Sequence, residues 1–379
     1  MRHLFLFVSV VVACFCGACS TTSELVDVND VDLKQKCDED SVMMEYIAID
    51  GLYPVWSDKY FIGSVDKIVA YKQMAYILDW RQATIYCYNT KTMQLEGVLD
   101  KRGHSKKEYL SVSDFAIDSK GNIVVYDADG GKLLWYNRRG DYLKSFKVEV
   151  GGESFAIRKD GTIAIDCCHS EPNVGVKIYS PDGSKCTEIH QDDLFRQFAI
   201  GHESNMAWHG NDLYYVRPYD YTIYKVGDDN KPVGFMQLDF GKKNYDFSEF
   251  KGLDYAGFQQ KVFKTKSVLL LRYLSVYKNL FFVSTDRADN IMFDAKKNKT
   301  YMLSNMKDPY GVLLESPLFI DDNGELLTYV RTNNVDGALR PWFEHSMKSG
   351  DYVPKFFQRA LQKKYENVSC WLVKGHIKK

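Results

Sequence analysis

The chain lacks an excess of charge of either sign. Its 379 residues carry 49 Lys and Arg against 50 Asp and Glu, a formal net charge of −1 and a pI of about 6.7. A basic stripe that could neutralise phosphates is missing, which argues against nucleic acid and anionic lipid as partners. No regular cysteine spacing of the kind a disulfide scaffold needs is present. Cys87 and Cys370 sit inside apolar strand patterns and read as small buried hydrophobes. The group Cys167, Cys168 and His169, with Cys186 and His190 beyond it, offers soft ligands. Adjacent strand residues point to opposite faces, however, so unreactive thiols are the simpler reading, with a disulfide from this pair to Cys186 or a metal as alternatives. Gly-x-Ser-x-Gly, His-Glu-x-x-His, a phosphate-binding glycine loop and Cys-x-x-Cys are all absent, and the balance moves from catalysis to binding.

Long apolar runs are also scarce, apart from the beginning of the chain. Met1-Arg2-His3 gives a positive start, and Leu4 to Phe15 is apolar but too short to span a bilayer as a mature helix. Gly17-Ala18 then precedes Cys19, an arrangement similar to a bacterial lipobox, with Cys16 where leucine is usual. Residues 1–18 are therefore expected to be a signal peptide, Cys19 the lipidated residue and 19–42 a polar tether. This implies export, with the membrane reached through the lipid alone.

What the chain has in abundance is repetition. Asp66 to Asn89 overlies Asp114 to Asn137 without a gap at a spacing of 48, matching Asp66 with Asp114, Asp79 with Asp127 and Tyr88 with Tyr136. The frame is one of period-two apolar residues, so each copy is a small antiparallel sheet. A third copy begins 40 residues after the second, at Phe155, and weaker ones run through Asn211 to Val226, Asn279 to Asp294 and Leu318 to Val330. Six innermost strands are thus predicted, and the fold class is all-β. The expected fold is a six-bladed β-propeller of four-stranded antiparallel blades over residues 43–375. The sixth copy lacks an outer half. Met44 to Ile49 and Val368 to Val373 are the strand-like segments left to complete it and close the ring. Two helical insertions are expected, Phe247 to Lys266 and Val353 to Lys364.

Val112 to Leu143, with its Gly-Asn-Ile-Val-Val-Tyr-Asp and Leu-Trp-Tyr-Asn-Arg-Arg-Gly-Asp-Tyr-Leu, resembles an NHL-type blade. The order of lipobox, tether and six blades resembles the six-bladed propeller lipoproteins of Bacteroidota-type envelopes, NHL-like or TolB-like. The resemblance implies an outer-membrane lipoprotein of the cell envelope and leaves function open. Where that group has a glycine- and proline-rich Gly-Glu-Tyr loop, this chain has Ser105-Lys106-Lys107 ahead of Glu108-Tyr109.

Turns within each repeat alternate in length. The A–B and C–D turns are short, whereas the B–C and D–A connections hold the long segments Asp100 to Val112, His190 to Glu203, Gly241 to Lys266 and Arg331 to Asn367. Long loops on a rigid scaffold commonly carry binding, so the long-loop face is the expected working face. Trp80, Arg81, His104, Arg217, Tyr219, Arg287 and Trp342 are its candidate ligand-binding residues, since aromatic and guanidinium groups together suit sugars, carboxylates and peptides. Asp66, Asp114 and Asn205 start innermost strands and could converge on the axis as ligands for Ca²⁺, although the leading expectation is that no cofactor is bound. Asp79 and Asp127 end second strands, where an Asx turn suffices to explain them. The leading expectation is a non-catalytic module binding a glycan, peptide or envelope protein, as a monomer or complex subunit. A metal-assisted hydrolase or lyase at the channel mouth and a structural subunit of an envelope complex are the alternatives.

Overall fold

In the computed structural model the described residues are 34–38, 46–55, 59–92, 94–148, 152, 154–167, 170–171, 173–191, 198, 204–287, 289–303, 318–321, 323–331, 335–362, 365, 368 and 370–378. Residues 1–18 and Cys19 lie outside them, as do Cys168 and His169. The sheets form a six-bladed β-propeller.

Strands are numbered along the chain. After β1 (Lys34–Asp38) and β2 (Ile47–Val55), blade 1 comprises β3 (Lys67–Tyr71), β4 (Met74–Asp79), β5 (Thr84–Asn89) and β6 (Gln94–Leu99). Blade 2 has β7 (Asp114–Ile117), β8 (Ile123–Asp127), β9 (Lys132–Tyr136) and β10 (Tyr142–Lys147). Blade 3 has β11 (Phe155–Ile157), β12 (Ile163–Asp166), β13 (Val174–Tyr179) and β14 (Cys186–His190). Blade 4 has β15 (Met206–His209), β16 (Asp212–Tyr215), β17 (Thr222–Val226) and β18 (Pro232–Asp239), and blade 5 has β19 (Leu271–Tyr277), β20 (Leu280–Thr285), β21 (Asn290–Asp294) and β22 (Lys299–Met302).

Blade 6 takes its strands from both ends of the chain, in the order β2, β25 (Cys370–Ile377), β24 (Glu325–Arg331) and β23 (Phe319–Ile320). The predicted closure therefore holds, a few residues displaced from its expected bounds. β1 departs from the expected tether. It runs parallel to both β18 and β22, pairing Lys34 with Gln237 and Cys37 with Thr300, and joins the outer edges of blades 4 and 5 into one sheet. An edge that would otherwise stand open is thereby covered.

Alternation drives the packing. The strands β4, β8 and β12 are buried on both faces, so each carries an unbroken apolar or aromatic run. Six apolar clusters result, one at each blade–blade interface. A seventh lies under α1 (Tyr255–Lys264), where Phe198, Tyr219, Phe250 and Phe258 meet; Phe198 stacks on Phe258 at 4.2 Å. The second insertion holds α2 (Arg340–Ser349), which sequence periodicity missed, and α3 (Lys355–Ala360), shorter than expected. Pro341 in the first turn and left-handed Gly350 (φ 78°) at the end of α2 were its available signals.

Candidate functional site

The starts of the innermost strands do converge on the axis, and what they build there is a brace. The Lys67 ammonium donates to Asp114 Oδ1 at 2.6 Å, and Asp114 Oδ2 accepts the Phe155 amide at 3.0 Å. The Asn205 amide donates to Ser154 Oγ at 3.3 Å, and the Leu274 amide to the Ser204 carbonyl at 2.9 Å. Tyr273 then returns to the beginning, its hydroxyl donating to the Asp66 carbonyl at 3.1 Å. Blades 1 to 5 are linked in one circuit, which Tyr273 closes between blades 5 and 1. Tyr273 has φ 55°, beside a register shift between Arg272 and Ser275. That left-handed backbone is unusual for an aromatic residue, and it directs the ring across the channel.

This brace does not fit the Ca²⁺ expectation at Asp66, Asp114 and Asn205. Asp114 is buried with both oxygens taken by a lysine and by the amides of Phe115 (2.8 Å) and Phe155. Asp66 Oδ2 accepts the Trp80 amide at 2.7 Å and the Ser64 hydroxyl at 2.6 Å. Asn205 gives its amide hydrogen to the Val216 carbonyl at 2.9 Å. Among the described residues, no three His, Cys, Asp or Glu side chains converge as metal ligands.

Above the brace lies a cavity of about 1050 Å³. It runs from Lys67, Phe155, Ser204 and Tyr273 along the inner strands to the A–B turns at Lys72, Gln73, Ser119, Lys159 and Asn323. It is a cup, floored at the long-loop end and open on the face of the short turns, opposite to where loop length points. Small residues line its wall: Ala116, Ala156, Ala207 and Ser275 occupy the same rank in blades 2 to 5, paired with Val124, Ala164, Tyr214 and Phe282. Around the mouth, cations stack on aromatic rings: Lys72 over Tyr71 at 5.1 Å and Arg158 over Trp208 at 4.9 Å. Arg158 is oriented by Asp160, whose carboxylate accepts from Nη2 at 2.8 Å; that bond holds the acid well below the usual range. Gly121, at φ 85°, lies under Tyr71, and a Cβ there would stand 2.8 Å from the ring.

The long-loop face is where the other candidates lie. Trp80 (60% exposed), Arg81 and His104 project to solvent. The remaining four have structural partners. Arg217 is buried, with Nε 2.9 Å from Asp220 and Nη2 donating to the Tyr224 hydroxyl at 3.1 Å. Tyr219 anchors the cluster beneath α1, and its hydroxyl donates to the Phe198 carbonyl. Arg287 donates to the Ser267 and Thr265 carbonyls at 2.8 and 3.1 Å, tying down the chain that leaves α1. Trp342 packs edge-on against Phe357 at 5.3 Å.

Asp79 and Asp127 do more than close their own turns. Each accepts the amides of the loop entering its blade: Gly63 and Ser64 for Asp79, Leu110 and Ser111 for Asp127. Asp286 repeats this with Leu269 and Leu270. Burial raises the Asp79 pKa, but hydrogen bonds from Gln82, Gly63 and Ser64 outweigh it and hold the carboxyl below its ordinary value. The Glu108-Tyr109 loop has a similar task. Tyr109 is fully buried and donates to the carbonyls of Ala83 and Leu99. Cys87 and Cys370 are buried as expected, and burial pushes the Cys87 thiol up to about 12. Cys167 and Cys186 are both free thiols, the first buried and the second exposed, so the disulfide alternative between them is not realised.

Six blades closed by both chain ends, with repeated landmarks only in their framework, leave the family to be decided by comparison. A family model described as a domain of unknown function, DUF4934, matches residues 57–367. The chain belongs to the DUF4934 family. The match spans the propeller from the approach to blade 1 to the second insertion. Comparison with curated proteins yields no match. Among solved structures, a Bacteroides fragilis protein described as exported is similar to this DUF4934 chain at 15% identity and a TM-score of 0.64, over 92% of this chain and 99% of that one. A DUF4221 family member from Bacteroides vulgatus is similar at 10% identity and a TM-score of 0.52, over 88% of this chain and 99% of that one. At these identities the likeness speaks for the fold.

Proposed function

We propose that this DUF4934 protein is an exported, lipid-anchored binding module of the cell envelope that takes one end of a chain-like ligand, glycan or peptide, into its axial cup. The cup carries the reading. Its volume, about 1050 Å³, is at the upper end of the roughly 300–1,000 Å³ range of small-ligand sites, and it is walled by rigid inner strands. Tyr71 and Trp208 supply flat contact area at the mouth, and Lys72 and Arg158 supply charge. A binding role is favoured over catalysis because the Asp114 carboxylate is committed to joining blades 1, 2 and 3 and the Asp66 carboxylate to bonds within blade 1. Export and anchoring rest on the lipobox at Cys19 and on the exported B. fragilis protein of like fold.

Two measurements test the two halves of this reading. Ala156→Trp, which fills the cup from its wall, is expected to abolish ligand capture on arrays of oligosaccharides and peptides; equal capture by the variant sinks the cup as the site. Cys19→Ser is expected to move the protein from the membrane to the soluble fraction, and an unchanged distribution would refute the anchor.

A second reading, as a subunit of an envelope complex, is favoured by apolar side chains left uncovered on both insertions. Phe263 (82% exposed) and Tyr255 (59%) project from α1, and Tyr352 (81%) follows α2. Cross-linking in intact cells, lost in a Phe263→Asp variant of unchanged melting temperature, would support that reading over a free-standing module.

A further inference from the structure

The walls of the cup narrow what would enter it. In this propeller the axis faces the free edges of the innermost strands, and the phase of those edges can be read. In blade 3, the Arg158 amide donates to the Thr162 carbonyl at 2.8 Å and the Asp166 amide to the Ser154 carbonyl at 3.0 Å. Ser154, Ala156 and Arg158 therefore turn their backbone groups to β12, and antiparallel alternation turns those of Phe155 and Ile157 to the axis. The Phe155 amide confirms the phase, since it meets Asp114 at the floor. Above it, the Phe155 carbonyl and the Ile157 amide and carbonyl point into the cavity.

Such an edge offers donor and acceptor at every second residue, a repeat of roughly 6.6 Å that an extended polypeptide matches along its own backbone. A sugar chain has no such repeat of N–H and C=O. Ala156 adds no bulk over the edge, and at the floor Lys67 is already neutralised by Asp114. At the mouth end of the same strand, Arg158 lies on Trp208, and the Trp208 indole donates to the Ala156 carbonyl at 3.3 Å. That contact is made to a carbonyl turned towards β12 and leaves the axial groups of Phe155 and Ile157 open.

We infer that the cup receives the end of an extended peptide, which adds as a fifth strand to the inner edge of blade 3 at Phe155 and Ile157. The inference rests on the cup being the binding site and goes on to name its ligand class. Ile157→Pro tests it directly, because that amide lies outside the blade's own ladder and proline removes it without breaking a β11–β12 bond. The probe is a pool of fluorescein-labelled random dodecapeptides, from which binders are taken for titration against the full chain. Both Ile157→Pro and N-methylation of the peptide backbone are expected to weaken binding by about tenfold or more, the loss of a hydrogen bond or two. The N-methylated peptide is read on the wild-type protein, so the test survives if the proline variant does not fold. Binding indifferent to N-methylation overturns the inference. Oligosaccharide binding abolished by Ala156→Trp, with no peptide bound, overturns it too but leaves the cup as the site; failure of both probes removes the cup as well.

Discussion

The two ends of the channel are built from equivalent positions of the same repeat, yet they differ in almost every respect. At the long-loop end, polar side chains are spent on joining blades: Lys67 on the Asp114 carboxylate, Ser154 on the Asn205 backbone amide, Tyr273 on the Asp66 backbone carbonyl. At the short-turn end, alanine and serine line the open axis, and the charged groups sit on aromatic rings at the rim. The long insertions mark where the fold spends chain on covering itself. α1 buries Phe258 over the ring through the cluster that holds Tyr219, and Arg287 ties down its exit. Small side chains line the void, and loop length does not report side-chain size.

The largest effect should come from the floor. Asp114→Ala would leave the half-buried Lys67 ammonium and two amides without partners, and breaking a pair whose acid is buried in this way costs about 3–5 kcal/mol. Denaturant unfolding of the variant should show that loss; a change below 1 kcal/mol would mean that the blades do not depend on the brace. Gly121→Ala, at the other end, is expected to cost about 1–3 kcal/mol, because the residue is left-handed and the new methyl meets Tyr71. Tyr273→Phe keeps the ring and removes one hydrogen bond, for about 0.5–1.5 kcal/mol. If the cup is instead closed by packing alone, that variant should be indistinguishable from wild type.

The carboxylates of the long-loop face give a pH test. Asp79 is held below its ordinary pKa, so its contribution is present above the unfolded value near 3.9 and is lost as pH falls through the lower folded value. Asp79→Asn should flatten the dependence of melting temperature on pH below about 4; an identical acid profile in the variant would show that the amides of Gly63 and Ser64 are held by something else. A similarly small stability effect is expected at the rim. Trp208→Ala removes a half-exposed ring, so ligand affinity should fall while stability changes by only about 1 kcal/mol. A larger loss would make the Arg158–Trp208 stack a structural joint between blades 3 and 4.

The blades were legible because burial on both faces imposes a run or an alternation that no loop would keep, as in Ile123 to Asp127. Asp79 and Asp127 were legible as landmarks, though their reach back to the amides of the loop entering the blade was not, since those partners lie 15 to 17 residues earlier. Arg217, Tyr219, Arg287 and Trp342 looked like site residues because the same side chains that bind ligands also fasten loops. The alanines of the inner strands were visible in the sequence, at matched places in three copies, and mark the cup more directly than the aromatic residues do.

Period-two burial, the spacing of 48 and 40 residues and the unpaired segments at the two chain ends determined the propeller and its closure by themselves, because strand pairing and edge protection are local demands. Only the tertiary structure decided which end of the channel is shut. The groups that shut it, Tyr273 and Asp66, lie 207 residues apart and meet only after six blades have curled into a ring.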